Sequence, residues 1–103
     1  MSAESGLQGT LDRLKGTFVA AAPELAARLR ALAARPSLDA EGITELRSIA
    51  HRLAGTAGLF GFAAIGETAG QLDATLDRES DQRSLFPLIE TLAGHLDTTS
   101  PSA

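Results

Sequence analysis

A chain of 103 residues with 13 acidic against nine basic side chains, net charge −4, is one domain's worth of protein. It hides roughly two-thirds of its unfolded surface, enough for one core but not for a deep substrate cavity, which excludes a multi-domain enzyme. Hydrophobic residues at 44% and charged residues at 21% exclude disorder outside the ends, and the lack of cysteine excludes disulfides, thiolate metal sites and cysteine nucleophiles.

From Leu7 the apolar positions Leu7, Leu11, Leu14 and Phe18 recur at three- and four-residue steps, the period of one helical face. They predict a first amphipathic helix. Pro23 follows "FVAAA", where proline suits a kink or the first turn of a new helix. "ELAARLRALAAR", with Leu25, Leu29 and Leu32 in register, then reads as a second helix, bent from the first and ending near Arg35. "PSLDAEG" is a loop, with Pro36 as breaker and Ser37 or Asp39 as N-cap of the next helix. That helix carries Ile43, Leu46, Ile49, Ala50, Leu53, Ala57 and Phe60 toward a core and breaks at "GFAA". Ile65, Ala69, Leu72 and Leu76 are in register on the helix after it. "DRESDQRS" reads as a polar loop, and Pro87 as the start of a last helix carrying Leu88, Leu92 and Leu96.

β-Branched residues are scattered and no alternating run exists, so no strand is expected. The expected fold is all-α, an antiparallel four-helix bundle with an additional N-terminal helix or helix extension. It forms one domain over residues 1–103, with its core at about 7–97 and a frayed tail over 98–103. The longest uncharged stretch, Leu53 to Gly66, is shorter than the ~20 apolar residues that span a bilayer, and "MSAESGLQG" lacks a signal-peptide pattern. Without a Lys/Arg cluster there is no nucleic-acid footprint. The expectation is a cytoplasmic monomer with neither membrane nor nucleic acid as partner.

The chemistry concentrates in "HRLAGTAGLFG", residues 51–61. At about 100° per residue, Leu46, Ile49, Leu53, Ala57 and Phe60 fall within about 60° of the side opposite His51, so the histidine faces solvent. Gly55, Gly58 and Phe62 fall on the histidine's own side if the helix persists that far. Each glycine costs a helix roughly 1 kcal/mol against alanine. Three explanations stand. The glycines clear a strip through which a partner's backbone or a phosphoryl-bearing loop approaches the imidazole, or they permit close helix packing within the chain, or they are neutral in an alanine- and glycine-rich sequence.

"AHRLAGTAGLFG" resembles the signature of histidine-containing phosphotransfer (HPt) domains: a histidine, leucine two on, lysine-glycine at three and four on, then a small residue, and glycine ten on. Here these are His51, Leu53, Ala54, Gly55, Thr56 and Gly61, matching everywhere except the lysine. "PELAARLRAL" is similar to the family's second helix, and "AIGETAGQLD" to the helix after the histidine, where Leu72-Asp73 stands for the family's common Leu-Glu. The resemblance covers roughly residues 7 to 97. It implies a phosphorelay intermediate: a receiver domain or hybrid histidine kinase donates a phosphoryl group to His51, which passes it to an aspartate of a response-regulator receiver domain. It also implies no cofactor of the chain's own, with Mg²⁺ on the partner receiver. A neutral imidazole is a good nucleophile near neutral pH, and in-line transfer asks chiefly for positioning and charge stabilisation. No phosphate-cradling glycine loop and no room for an ATP-binding domain are evident, so the chain reads as a carrier and not a kinase.

A basic residue at position 54 would lean back over His51 toward phosphoryl oxygens, which alanine cannot do. Arg52 and Arg47 are candidates to compensate, or are solvated surface. Asp73, matching a family glutamate that accepts a hydrogen bond from the second ring nitrogen, either fixes the imidazole tautomer or is solvated. Ser48, Ala54, Gly55, Gly58, Leu59 and Phe62 form the expected docking face; Phe62 alternatively closes the core at the helix break. His95 has no second ligand at metal spacing and reads as a helix-end residue; no metal site is expected. The alternative function is a non-catalytic helical adaptor whose histidine is incidental.

Overall fold

The computed structural model describes residues 3–78 and 82–99. Its first element, α1, runs unbroken from Ala3–Ala33. The expected boundary at Pro23 is therefore corrected to a single helix with an N-terminal extension. Proline inside a helix removes one backbone hydrogen bond. Pro23 is exposed, so water can satisfy the freed carbonyl, while Ala22, Ala26, Leu29 and Leu32 along the bundle-facing side are fully buried and hold the helix in line.

Asp39 is the N-cap of α2 (Ala40–Thr56): its backbone is extended and its carboxylate accepts from the Gly42 N–H at 2.8 Å. Such a cap contributes about 1 kcal/mol. The helix tightens into a 3₁₀ turn over Ala57–Phe60 and ends at Gly61, whose φ of 87° lies in the left-handed region that favours glycine. Two bonds close this turn, Gly61 N–H to the Gly58 carbonyl at 3.2 Å and Phe62 N–H to the Ala57 carbonyl at 3.0 Å. The chain then reverses into α3 (Ala63–Arg78).

The last helix, α4, runs from Gln82–Asp97 with Pro87 inside it. The expected start at Pro87 is thus five residues late. Its buried stripe is Leu85, Ile89, Leu92, Ala93 and Leu96, while Leu88 is half-buried. Leu85 draws the helix back past the proline, which is exposed. Most of the expected "DRESDQRS" loop is helical, and residues 79–81 lie outside the described residues. Thr98 and Thr99 turn back through hydroxyl bonds to the carbonyls of His95 and Leu96, at 2.8 and 2.9 Å. The remaining tail, 100–103, is also outside the described residues.

The bundle is therefore all-α, with α2 packed on α3, α3 on α4 and α4 on α1, around Leu29, Leu32, Leu46, Leu72, Ile89 and Leu96. Each such side chain contributes about 1.5–3 kcal/mol by leaving water. Helices α1 and α2 barely touch and leave a seam, bridged by the Arg28 to Glu45 ion pair. At about 46 Å, α1 is nearly twice as long as the other helices. Its N-terminal half runs beyond them, giving a 54 Å long axis and leaving Leu7 61% and Leu14 50% exposed.

Candidate functional site

Helix α2 buries Leu46, Ile49, Ala50 and Leu53 on one side and so turns His51 outward, its side chain 81% exposed. From α3, Asp73 reaches the imidazole: its Oδ2 lies 3.3 Å from Nδ1. Asp73 follows Leu72, whose complete burial fixes that part of α3, and its own side chain is only 26% exposed. With the proton on Nδ1 the ring donates to that carboxylate and keeps the Nε2 lone pair on its open side.

One helical turn away is a second rung. Arg47, four residues before His51, pairs with Asp77, four residues after Asp73, and donates to the Leu76 carbonyl at 3.3 Å. In this geometry the charge of Arg47 is paired with Asp77 on α3. Asp77 was not singled out from sequence; its signal is the matched four-residue spacing on two antiparallel helices. Arg52 faces the α1–α2 seam beside Leu25 and Ile49, together with the exposed Ser48. Ala54 is exposed and supplies no charge.

An ideal Cβ built at Gly55 or Gly58 meets nothing within 4 Å. Packing inside the chain therefore does not require either glycine, and a cleared strip remains beside the histidine. Close helix approach falls instead at Gly66, where a Cβ would lie 3.6 Å from the Gly58 nitrogen. Leu59 borders the strip and is 69% exposed. Phe62 is not part of the exposed face: the 3₁₀ turn and Gly61 break the helical wheel before it. Its ring stacks on Phe18 at 5.5 Å, with the Lys15 ammonium 5.4 Å from the ring centre. It closes the core at the helix break.

His95 is half-buried near the end of α4, and no group of three or more metal-ligating side chains occurs among the described residues. At the seam, the hydrogen bond from Arg28 holds the Glu45 carboxyl below its ordinary range. No helix among the described residues is long and apolar enough to cross a membrane. The arrangement can present an unprotonated imidazole nitrogen to a large partner, with a carboxylate behind it.

Compared with known families, residues 13–100 match the family model for the Hpt domain. Searches of curated proteins and of solved structures return no match.

Proposed function

Because the chain belongs to the Hpt domain family, we propose that it is a phosphohistidine carrier in which Nε2 of His51 accepts the phosphoryl group. The Nε2 lone pair attacks the phosphorus of a receiver's aspartyl phosphate. The P–N bond forms as the P–O bond breaks, and the receiver's aspartate leaves as a free carboxylate. The proton on Nδ1 stays shared with Asp73, which offsets the positive charge developing on the ring. Onward transfer to a second receiver runs the same exchange in reverse. Mg²⁺ and the acidic pocket around it are the receiver's contribution, and the chain needs no ATP site of its own.

The observation that carries this reading is the pairing of Nδ1 with Asp73 on an otherwise open ring. Ser48, Ala54, Gly55, Gly58 and Leu59 are all exposed and form the receiver's docking face. The bare glycine strip lets a receiver loop approach the histidine, and Leu59 supplies an apolar contact. Arg52 is the nearer candidate for the charge that Ala54 lacks, since Arg47 is held by Asp77.

Incubation of the chain with a phosphorylated receiver tests the proposal. The expected product is an acid-labile, base-stable phosphoprotein that does not form with His51→Gln. If His51→Gln still accepts phosphate, the reading is wrong at its centre; if the wild type accepts none from any receiver, the adaptor reading replaces it.

A further inference from the structure

Leu7, Leu11, Leu14, Phe18, Ala21 and Leu25 follow one another at steps of four, three, four, three and four residues. This is the seam spacing of a coiled coil. The structure divides it into two halves. Leu7 and Leu14 stand exposed on the half of α1 beyond the bundle, while Phe18, Ala21 and Leu25 floor a groove of about 280 Å³ along the α1–α2 seam. Leu14 lies at the groove's mouth, and Ile49, Leu53 and Phe60 complete its apolar wall. Stripe and groove are thus continuous on one face of one helix, but a straight helix cannot fold its own stripe into its own groove.

The geometry points to a second copy of this chain as the occupant, in a twofold antiparallel pairing of α1 centred on Gly16. The step pattern is palindromic about that residue. Reversed, it sets Leu7 opposite Leu25, Leu11 opposite Ala21 and Leu14 opposite Phe18, so each copy's stripe fills the other's groove and both are covered at once. Such a contact is isologous and closes at two chains. The paired length is about 27 Å. Specific interfaces begin at about 1,200 Å² of buried surface, the area that two stripes seated in two grooves have to reach. Thr10 and Thr17 flank the stripe on its groove side, while on the other flank Lys15 comes near its own copy beside the twofold, its ammonium lying over the Phe62 ring of its own chain.

The extension also needs such cover to remain helical. Gly6, Gly9 and Gly16 have nothing within 4 Å of an ideal Cβ, so no packing within the chain calls for them and each weakens an isolated helix. A lone helix of this length is marginal in water. Arg52 lines the same groove, so the second copy's α1 would cover that side chain.

The test uses the full chain and needs no phosphotransfer. Sedimentation equilibrium across a concentration series is expected to approach twice the 10.6 kDa chain mass. Leu7→Gln/Leu14→Gln, at exposed positions, is expected to sediment as a monomer with a bundle that still melts cooperatively. Because the chain lacks cysteine, Gln8→Cys can carry a single spin label. Antiparallel pairing places the two labelled backbones about 25 Å apart, and parallel pairing about 10 Å. A wild-type monomer throughout the series, a double variant that still dimerises, or the short label distance each overturns the proposal. A monomer whose double variant takes phosphate from a receiver more slowly than wild type also overturns it, by assigning the stripe to the receiver.

Discussion

Asp73→Asn removes a charge from behind His51 while keeping the side chain's shape. A hydrogen bond to an ionised acceptor contributes about 1.5–3 kcal/mol when short and shielded. The Nδ1–Oδ2 separation of 3.3 Å is at the outer edge of that interaction, and His51 is 81% exposed although Asp73 is mostly covered. Both features reduce the contribution to about 1 kcal/mol, a factor of about five in the ratio of the two neutral tautomers. The ratio of the tautomer with Nδ1 protonated and Nε2 free to the other should fall by that factor in the variant, and its population by somewhat less. Uptake of phosphate from a saturating phosphorylated receiver should slow correspondingly. Nitrogen-15 shifts of the neutral His51 ring read the tautomer directly, in the free protein and without any partner. Ring shifts identical in wild type and Asp73→Asn would refute the argument, whatever happens to the rate.

Ala54→Lys should restore the missing charge. A lysine leaning back to about 5 Å from a dianionic phosphoryl group in a water-like dielectric supplies about 1–1.5 kcal/mol, lengthening the phosphohistidine's lifetime roughly five- to tenfold at low salt. Equal lifetimes would show that the position is indifferent to charge. Gly55→Ala should raise stability by about 0.5–1 kcal/mol, because its Cβ meets nothing and helix propensity improves. Gly55→Leu should fold equally well but slow transfer from a receiver; a wild-type rate would refute the cleared strip. Glu45→Gln removes a carboxylate whose folded value Arg28 holds below the ordinary 4.5. That contribution is present above the unfolded value and is lost as pH falls through the folded one. Thermal melts should therefore separate wild type from variant near pH 7 and merge under strongly acidic conditions.

The sequence carried the bundle because its apolar positions repeat with helical period, and Leu46, Leu53, Leu72 and Leu92 all reach the core as that period requires. It misled at the prolines. Pro23 and Pro87 read as helix starts from local chemistry, but burial of Leu29 and Leu85 on the bundle-facing sides holds each helix through them. His51 could be placed outward from the wheel alone, since the core stripe lies behind it. Whether Asp73 could reach it could not, because that depends on how closely α2 and α3 approach, a distance set by packing around Ala50, Ala69 and Leu72. The same packing captures Arg47 on Asp77. Phe62 escaped the wheel because Gly61 ends it.

The central claim, that His51 takes the phosphoryl group on Nε2 while Nδ1 keeps its proton toward Asp73, is tested most directly by nitrogen-15 and phosphorus-31 NMR of the phosphorylated chain. The account predicts one phosphorylated ring, that of His51, with phosphorus coupled to Nε2 and the proton retained on Nδ1. Phosphorus on Nδ1, or on His95 in place of His51, would contradict it.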